Sequence, residues 1–176
     1  MVLTFRCSGW NSAAFLAALV LAPLPAAAAN IPVTTLADAD AVDGECSLRE
    51  AIQAANIDSP YNECAAGTGS SDRILLTVPG TILVTAHLPE FLDSAALVGL
   101  GPGTSTIHGQ DAWTLLRLDT GGSGQTFRLE RLTLTNAAGA GSGPALNAGA
   151  HTVRVRDAVL SSSTASLRGG ALMALN

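Results

Sequence analysis

Four carboxylates crowd the segment DADAVDGE: Asp38, Asp40, Asp43 and Glu45. Acids at this density can gather calcium, a hard cation that takes several oxygen ligands. A loop of the EF-hand type puts acids at its first, third and fifth positions and glycine at the sixth. Here Asp43 comes one residue late, so no metal ligand is assigned and the segment reads as a solvated acidic loop.

The other chemistry-bearing residues are scattered. From residue 72 onward the acids are Asp72, Glu90, Asp93, Asp111, Asp119, Glu130 and Asp157, one to a strand or turn. A glycoside hydrolase needs two facing carboxylates, and a polysaccharide lyase needs calcium-binding acids beside an arginine base. His87, His108 and His151 sit in separate turns without metal-ligand spacing and read as exposed turn residues. Ser161 to Ser163 with Thr164 lack the glycines of a nucleophile elbow. Gly99-Leu-Gly-Pro-Gly lacks the following helix that a phosphate loop requires. Trp113 is an isolated aromatic whose simplest role is packing. No catalytic, cofactor-binding or metal-binding residue emerges.

Composition narrows the partners. The chain has 176 residues, a formal net charge of −5 and no lysine, which argues against nucleic acid and anionic lipid surfaces. Residues 1–29 follow a signal-peptide plan: Arg6, an apolar run from Ala13 to Ala22, then PLP and four alanines, Ala26 to Ala29. The apolar run is short of the about 20 residues needed to span a bilayer. Small residues place the cut between Ala29 and Asn30, and a cut one or two residues earlier also fits. The remainder has no apolar stretch long enough for a membrane span. Cys7 leaves with the leader. Cys46 and Cys64 remain, an even pair in an exported chain, and read as a disulfide closing a loop of about 18 residues worth about 3 kcal/mol. Two free buried thiols are the alternative.

The elements that must position these residues are mostly strands. Ile31 to Leu36 is β-branched, with Pro32 suggesting a sheet edge. CSLREAIQAAN, residues 46–56, reads as a helix: Ser47 at the N-cap and Glu50 three residues later form a capping box. Leu48, Ala51, Ile52 and Ala55 share one face, Arg49, Gln53 and Asn56 the other, and Asn56 is the expected stop. From Arg73 onward, short apolar runs alternate with glycine-rich turns. A shift of 26 residues lays Thr126-Phe127-Arg128-Leu129 on Thr152-Val153-Arg154-Val155, Leu134 on Leu160 and Gly143-Pro-Ala-Leu on Gly169-Gly-Ala-Leu. It also sets Arg128 beside Arg154, Glu130 beside Arg156 and Arg131 beside Asp157, the last as an exposed ion pair. A fixed period in the twenties marks a solenoid. Short strands without a repeating helix make that solenoid a parallel β-helix of about four rungs, a different β fold being the alternative. Its open first rung needs a lid, and the helix after Ser47, tied by Cys46–Cys64, supplies one with Leu48 and Ile52 facing the rung.

The CSLREAI segment, with its upstream VTT strand and acidic loop and the NEC, GTGS and VPGTI segments that follow, resembles the CSLREA-type N-terminal domain of exported bacterial proteins. The LTLTNA segment and Gly169-Gly170-Ala171-Leu172 resemble rungs of the polymorphic outer-membrane protein type. The resemblance implies an all-β fold: a right-handed parallel β-helix with an N-terminal capping α-helix. The chain therefore divides into a signal peptide at 1–29, a capping region at 30–72 and rungs over 73–176. The resemblance also implies a secreted or cell-surface protein and carries over no catalytic residue. The chain stops at Leu175-Asn176 in mid-rung, so further rungs are expected downstream. The expected function is a structural or adhesive surface scaffold contacting surface glycans or host and matrix proteins. The front of a β-helix lyase or hydrolase, or a sugar-binding module, are the alternatives.

Overall fold

The computed structural model describes residues 28–69, 71–118, 124–139, 144–149, 151–165 and 172–173, the last two and residue 165 as backbone only. Residues 1–27, which hold most of the expected signal peptide, together with Asp119, Gly143, the Gly169-Gly170-Ala171 motif and Leu175-Asn176, lie outside the described residues. In chain order the elements are β1 (Asn30–Val33), α1 (Leu48–Ile57), β2 (Asp72–Leu76) and β3 (Gly80–Leu83). Then come β4 (Ala95–Val98), β5 (Ser105–His108), β6 (Leu116–Arg117), β7 (Thr126–Glu130), β8 (Thr133–Thr135), β9 (Ala138–Gly139) and β10 (Leu146–Asn147). The last layer holds β11 (Thr152–Arg156), β12 (Val159–Ser161), β13 (Thr164–Ala165) and β14 (Leu172–Met173).

Every pairing between these strands is parallel. One sheet runs β1-β2-β4-β7-β11, a second β3-β5-β8-β12, a third β6-β10-β14, and β9 pairs with β13. Successive layers therefore stack as a β-solenoid of about three turns, where about four rungs were expected. Pro32 lies in β1, at the edge of the first sheet, where its missing N–H costs least.

Alternation along each strand builds the core. Ile31, Ile74, Leu97, Leu129 and Val155 fall in one column of the first sheet, and the first four are wholly buried. Ile82, Ile107, Leu134 and Leu160 form the matching column of the second sheet, and Leu116 and Leu146 are buried in the third. Each such side chain contributes about 1.5–3 kcal/mol by burial. Phe127 packs against Phe91 with the rings tilted, centroids 4.7 Å apart. In the last layer Val155 is 46% exposed although it continues an inward column, because among the described residues no strand pairs with the outer side of β11.

The 26-residue shift is realised strand by strand. Thr126 pairs with Thr152, Arg128 with Arg154, Leu134 with Leu160 and Leu146 with Leu172. The corners repeat as well. Arg131 and Asp157 are both left-handed (φ 59° and 49°), as are Asn136 and Ser162 (φ 51° and 46°). This corrects the expected Arg131–Asp157 ion pair. The two residues share a corner conformation, but the Arg131 guanidinium donates to the Leu100 carbonyl at 2.7 Å. Asp157 instead lies 3.7 Å from its exposed neighbour Arg156. The corner after β4 uses Gly99, where a β-carbon would collide with the Arg131 carbonyl oxygen.

Helix α1 packs on β1 and β2, at the first-layer edge of the five-stranded sheet. Leu48, Ala51, Ile52, Ala54 and Ala55 are buried and join the common apolar core. The helix runs past the expected stop at Asn56 and closes on Asp58, a left-handed C-cap (φ 51°). Among the described residues no helix is long and apolar enough to cross a membrane.

Candidate functional site

Two places gather charged side chains. The first is the junction of the acidic loop with α1, and it accounts for all six residues of CSLREA. Cys46 and Cys64 form a buried disulfide with Cα atoms 4.9 Å apart. The Cys46 N–H donates to Thr34 Oγ1, and its carbonyl accepts from the Thr34 N–H, which stitches the helix start to the end of β1. Ser47 accepts from the Glu50 N–H while its own hydroxyl donates to the Ala39 carbonyl at 2.6 Å. Leu48 and Ala51 are wholly buried.

Arg49 and Glu50 do more than the helical pattern implies. Arg49 grips Asp38 with two nitrogens, at 3.1 and 2.8 Å, and donates to the carbonyls of His87 and Ala86. Asp38 also accepts from the N–H and hydroxyl of Thr85. Its side chain is 0% exposed. Glu50 is 1% exposed and accepts from the N–H groups of Ser47 and Ala41 and from Asn62 Nδ2 at 2.7 Å. Burial pushes its pKa up, but these hydrogen bonds together outweigh burial and hold it below the ordinary glutamate value. Asp40 accepts from the Tyr61 hydroxyl, and that bond and the negative charge raise the Tyr61 pKa. The acidic loop is therefore not simply solvated. Asp38 and Asp40 are structural acceptors, and Asp43 accepts from the Glu45 N–H. Among the described residues no three histidine, cysteine, aspartate or glutamate side chains come together as a metal group.

The second place is the outer face of the five-stranded sheet. The register Asn30–Arg73–Ala96–Arg128–Arg154 forms one outward column across all five strands of this sheet. Adjacent strands lie about 4.7–4.9 Å apart. Arg128 and Arg154 are therefore one layer apart, and Arg73 is two layers from Arg128. The three arginines line a cavity of about 300 Å³ together with Ser71, Ser94 and Thr126, a volume at the small end of ligand pockets, which run about 300–1,000 Å³. Among the described residues none of the three guanidinium groups has a carboxylate within ion-pair distance or a hydrogen-bond acceptor. Ser94 is committed to the frame: its hydroxyl donates to Gln125 Oε1 and accepts from the Thr126 N–H. Ala96 opens space between the charged layers. The 26-residue shift brings Arg128 and Arg154 together in the sequence. It misses Arg73, because Arg73 pairs with Ala96, 23 residues on, and Ala96 with Arg128, 32 on.

The remaining expected residues stay apart. His87 is exposed and meets Trp113 edge-on, ring centroids 5.3 Å apart, so this tryptophan packs against a histidine. His108 Nδ1 accepts from the Gln110 N–H. His151 is 8% exposed, which corrects its reading as an exposed turn residue. Glu90 pairs with Arg117 at 3.3 Å, and Asp111 accepts from Asn136. Glu130 stands opposite Arg156 in the neighbouring outward column. Asn30, on the far side of the expected cut, opens β1. Ala29 precedes it, its N–H bonded to Asp72 Oδ1 at 2.9 Å. No protein-family model, no curated protein and no solved structure matches this chain.

Proposed function

We propose that this chain is the front of an exported, non-catalytic β-solenoid that adheres to anionic glycan through the arginine column of its first sheet. The observation that carries the reading is the alignment of Arg73, Arg128 and Arg154 on one face without a carboxylate partner among the described residues. A side chain that costs about 2 kcal/mol of rotamer entropy to order, and repels its neighbour, gains nothing for the fold by standing in such a row. An external anion would give each guanidinium the paired acceptor oxygens it lacks. A linear chain of uronate or sulfated sugars offers such groups at intervals, with hydroxyls to meet Ser71 and Thr126.

In this reading the helix α1 and its disulfide cap the open first layer of a right-handed coil, as in the CSLREA-type domains that the sequence resembles. Residues 1–29 are the export signal, and the stacked layers are rungs like those of polymorphic outer-membrane proteins. The capping role is supported by the burial of Leu48 and Ile52 against the core beside the edge strand β1.

Binding of the leader-free chain to polygalacturonate, heparin, neutral dextran and single-stranded DNA, each at low and high salt, tests the proposal. Salt-sensitive binding to one or both anionic glycans is expected, with none to dextran. Arg128→Ala and Arg154→Ala should each weaken it about tenfold, the worth of one charge-assisted hydrogen bond. Equal binding to dextran, no binding to either anionic glycan, or preference for DNA would overturn it.

A further inference from the structure

Asp72 is a buried carboxylate without a cationic side chain. It is 2% exposed, and no arginine or histidine lies within ion-pair distance of it among the described residues. Its neighbour Arg73 belongs to the outward column, on the opposite face of β2. The acceptors of Asp72 are met by the N–H and hydroxyl of Thr68 and by the Ala29 N–H. Gly67 is packed so closely against Oδ2 that a β-carbon there would collide with it. Buried charges are ordinarily paired, because an isolated one loses its hydration without return.

The missing charge has one natural source. Asp72 occupies the register position opposite Ala29, one residue before the Asn30–Arg73 pair. Two cuts satisfy the small-x-small rule: after Ala28, with Ala26 at the third position back, and after Ala29, with Ala27 there. A cut after Ala27 would place Pro25 at that position. Cutting after Ala29 discards two ladder contacts, the Ala29 N–H to Asp72 at 2.9 Å and the Arg73 N–H to the Ala29 carbonyl at 2.8 Å. Cutting after Ala28 keeps both and turns the Ala29 nitrogen into an ammonium 2.9 Å from the carboxylate. It also removes Ala28 from the lining of the arginine cavity.

We infer that the mature chain begins at Ala29 and that its α-ammonium is the counter-ion of Asp72, so processing completes the first layer of the solenoid. This rests on the N-terminal segment being an export signal, and it moves the cut one residue earlier than the Ala29–Asn30 bond.

The test is the intact mass of the product when the full 176-residue chain is exported from a bacterial host. A mass starting at Ala29 is expected. A product starting at Asn30 or Ala28 overturns the inference and leaves the export signal standing, whereas an uncut product overturns the export signal itself. A second measurement examines the pair. Asp72→Asn should lower the Tm by several degrees in protein starting at Ala29. It should lower it clearly less in protein that keeps Ala27-Ala28, where the Ala29 nitrogen is a neutral amide. Equal losses in the two forms would show that no such pair exists.

Discussion

The junction around α1 and the outer face of the first sheet handle charge in opposite ways. At the junction, Asp38 and Glu50 are buried, and each is met by several donors from different parts of the chain. On the sheet face, Arg73, Arg128 and Arg154 share a column and have no acceptor among the described residues. Low dielectric explains the first pattern: a half-satisfied buried network is worse than an apolar one, so it closes completely. Solvent explains why the second is tolerated, since exposed cations remain hydrated. It does not explain why they are aligned. Charge that is satisfied internally specifies the fold. Charge that is aligned and left open is available to something outside it.

Breaking the junction should have the largest effect. Arg49→Ala would leave Asp38 buried and without its cation, at a cost of about 3–5 kcal/mol. Arg49→Lys should recover only part of this, because an ammonium cannot match the two-pronged contact. Denaturant unfolding of the oxidised protein measures both. A loss under about 1 kcal/mol for Arg49→Ala, the range of an exposed pair, would erase the contrast between the two regions.

A smaller effect, of definite sign, is expected from acid. The folded-state pKa of Glu50 lies below its ordinary value. The stability it contributes is therefore fully present above the unfolded pKa, about 4.3, and is lost as pH falls through the lower folded value. Glu50→Gln should be less stable at neutral pH and show a flatter decline over the acid range. Parallel acid limbs for the two proteins would assign the effect to other carboxylates.

How much of this was legible in the sequence follows from how each feature is encoded. The capping box is local, so Ser47 and Glu50 could be read three residues apart, and so could the buried stripe of Leu48, Ala51 and Ile52. The pairing of Arg128 with Arg154 could be read because the last two layers have equal length. Arg73 could not, since corners absorb insertions without disturbing the ladder, and layers constant in space are then unequal in sequence. The burial of Asp38 and Glu50 was hidden for a related reason. It depends on Asn62 and Thr85, which reach them from distant segments, whereas composition registers only a run of acids. The corner at Arg131 and Asp157 repeats at the expected spacing without the expected contact, because a repeat in sequence signals a shared backbone conformation before it signals a shared contact.

The smallest stability effect should come from the arginine column, and it is the sharper test of the contrast. Like charges directly opposite on neighbouring strands are destabilising by about 0.2–1 kcal/mol. Truncating either Arg128 or Arg154 relieves that repulsion and strands no acceptor among the described residues, since neither guanidinium holds one there. Arg154→Ala should therefore leave stability unchanged or raise it by up to about 0.5 kcal/mol, within the usual range for surface substitutions. The Arg128→Ala, Arg154→Ala double variant should gain no more than either single one, because one truncation already removes the shared repulsion. Thermal melts at low and high salt check this, and the small gain should shrink as salt screens the pair. A clear loss of stability in the single variants would mean that the column is tied into the fold after all, and the distinction between closed and open charge would fail at the place where the proposed adhesive role depends on it.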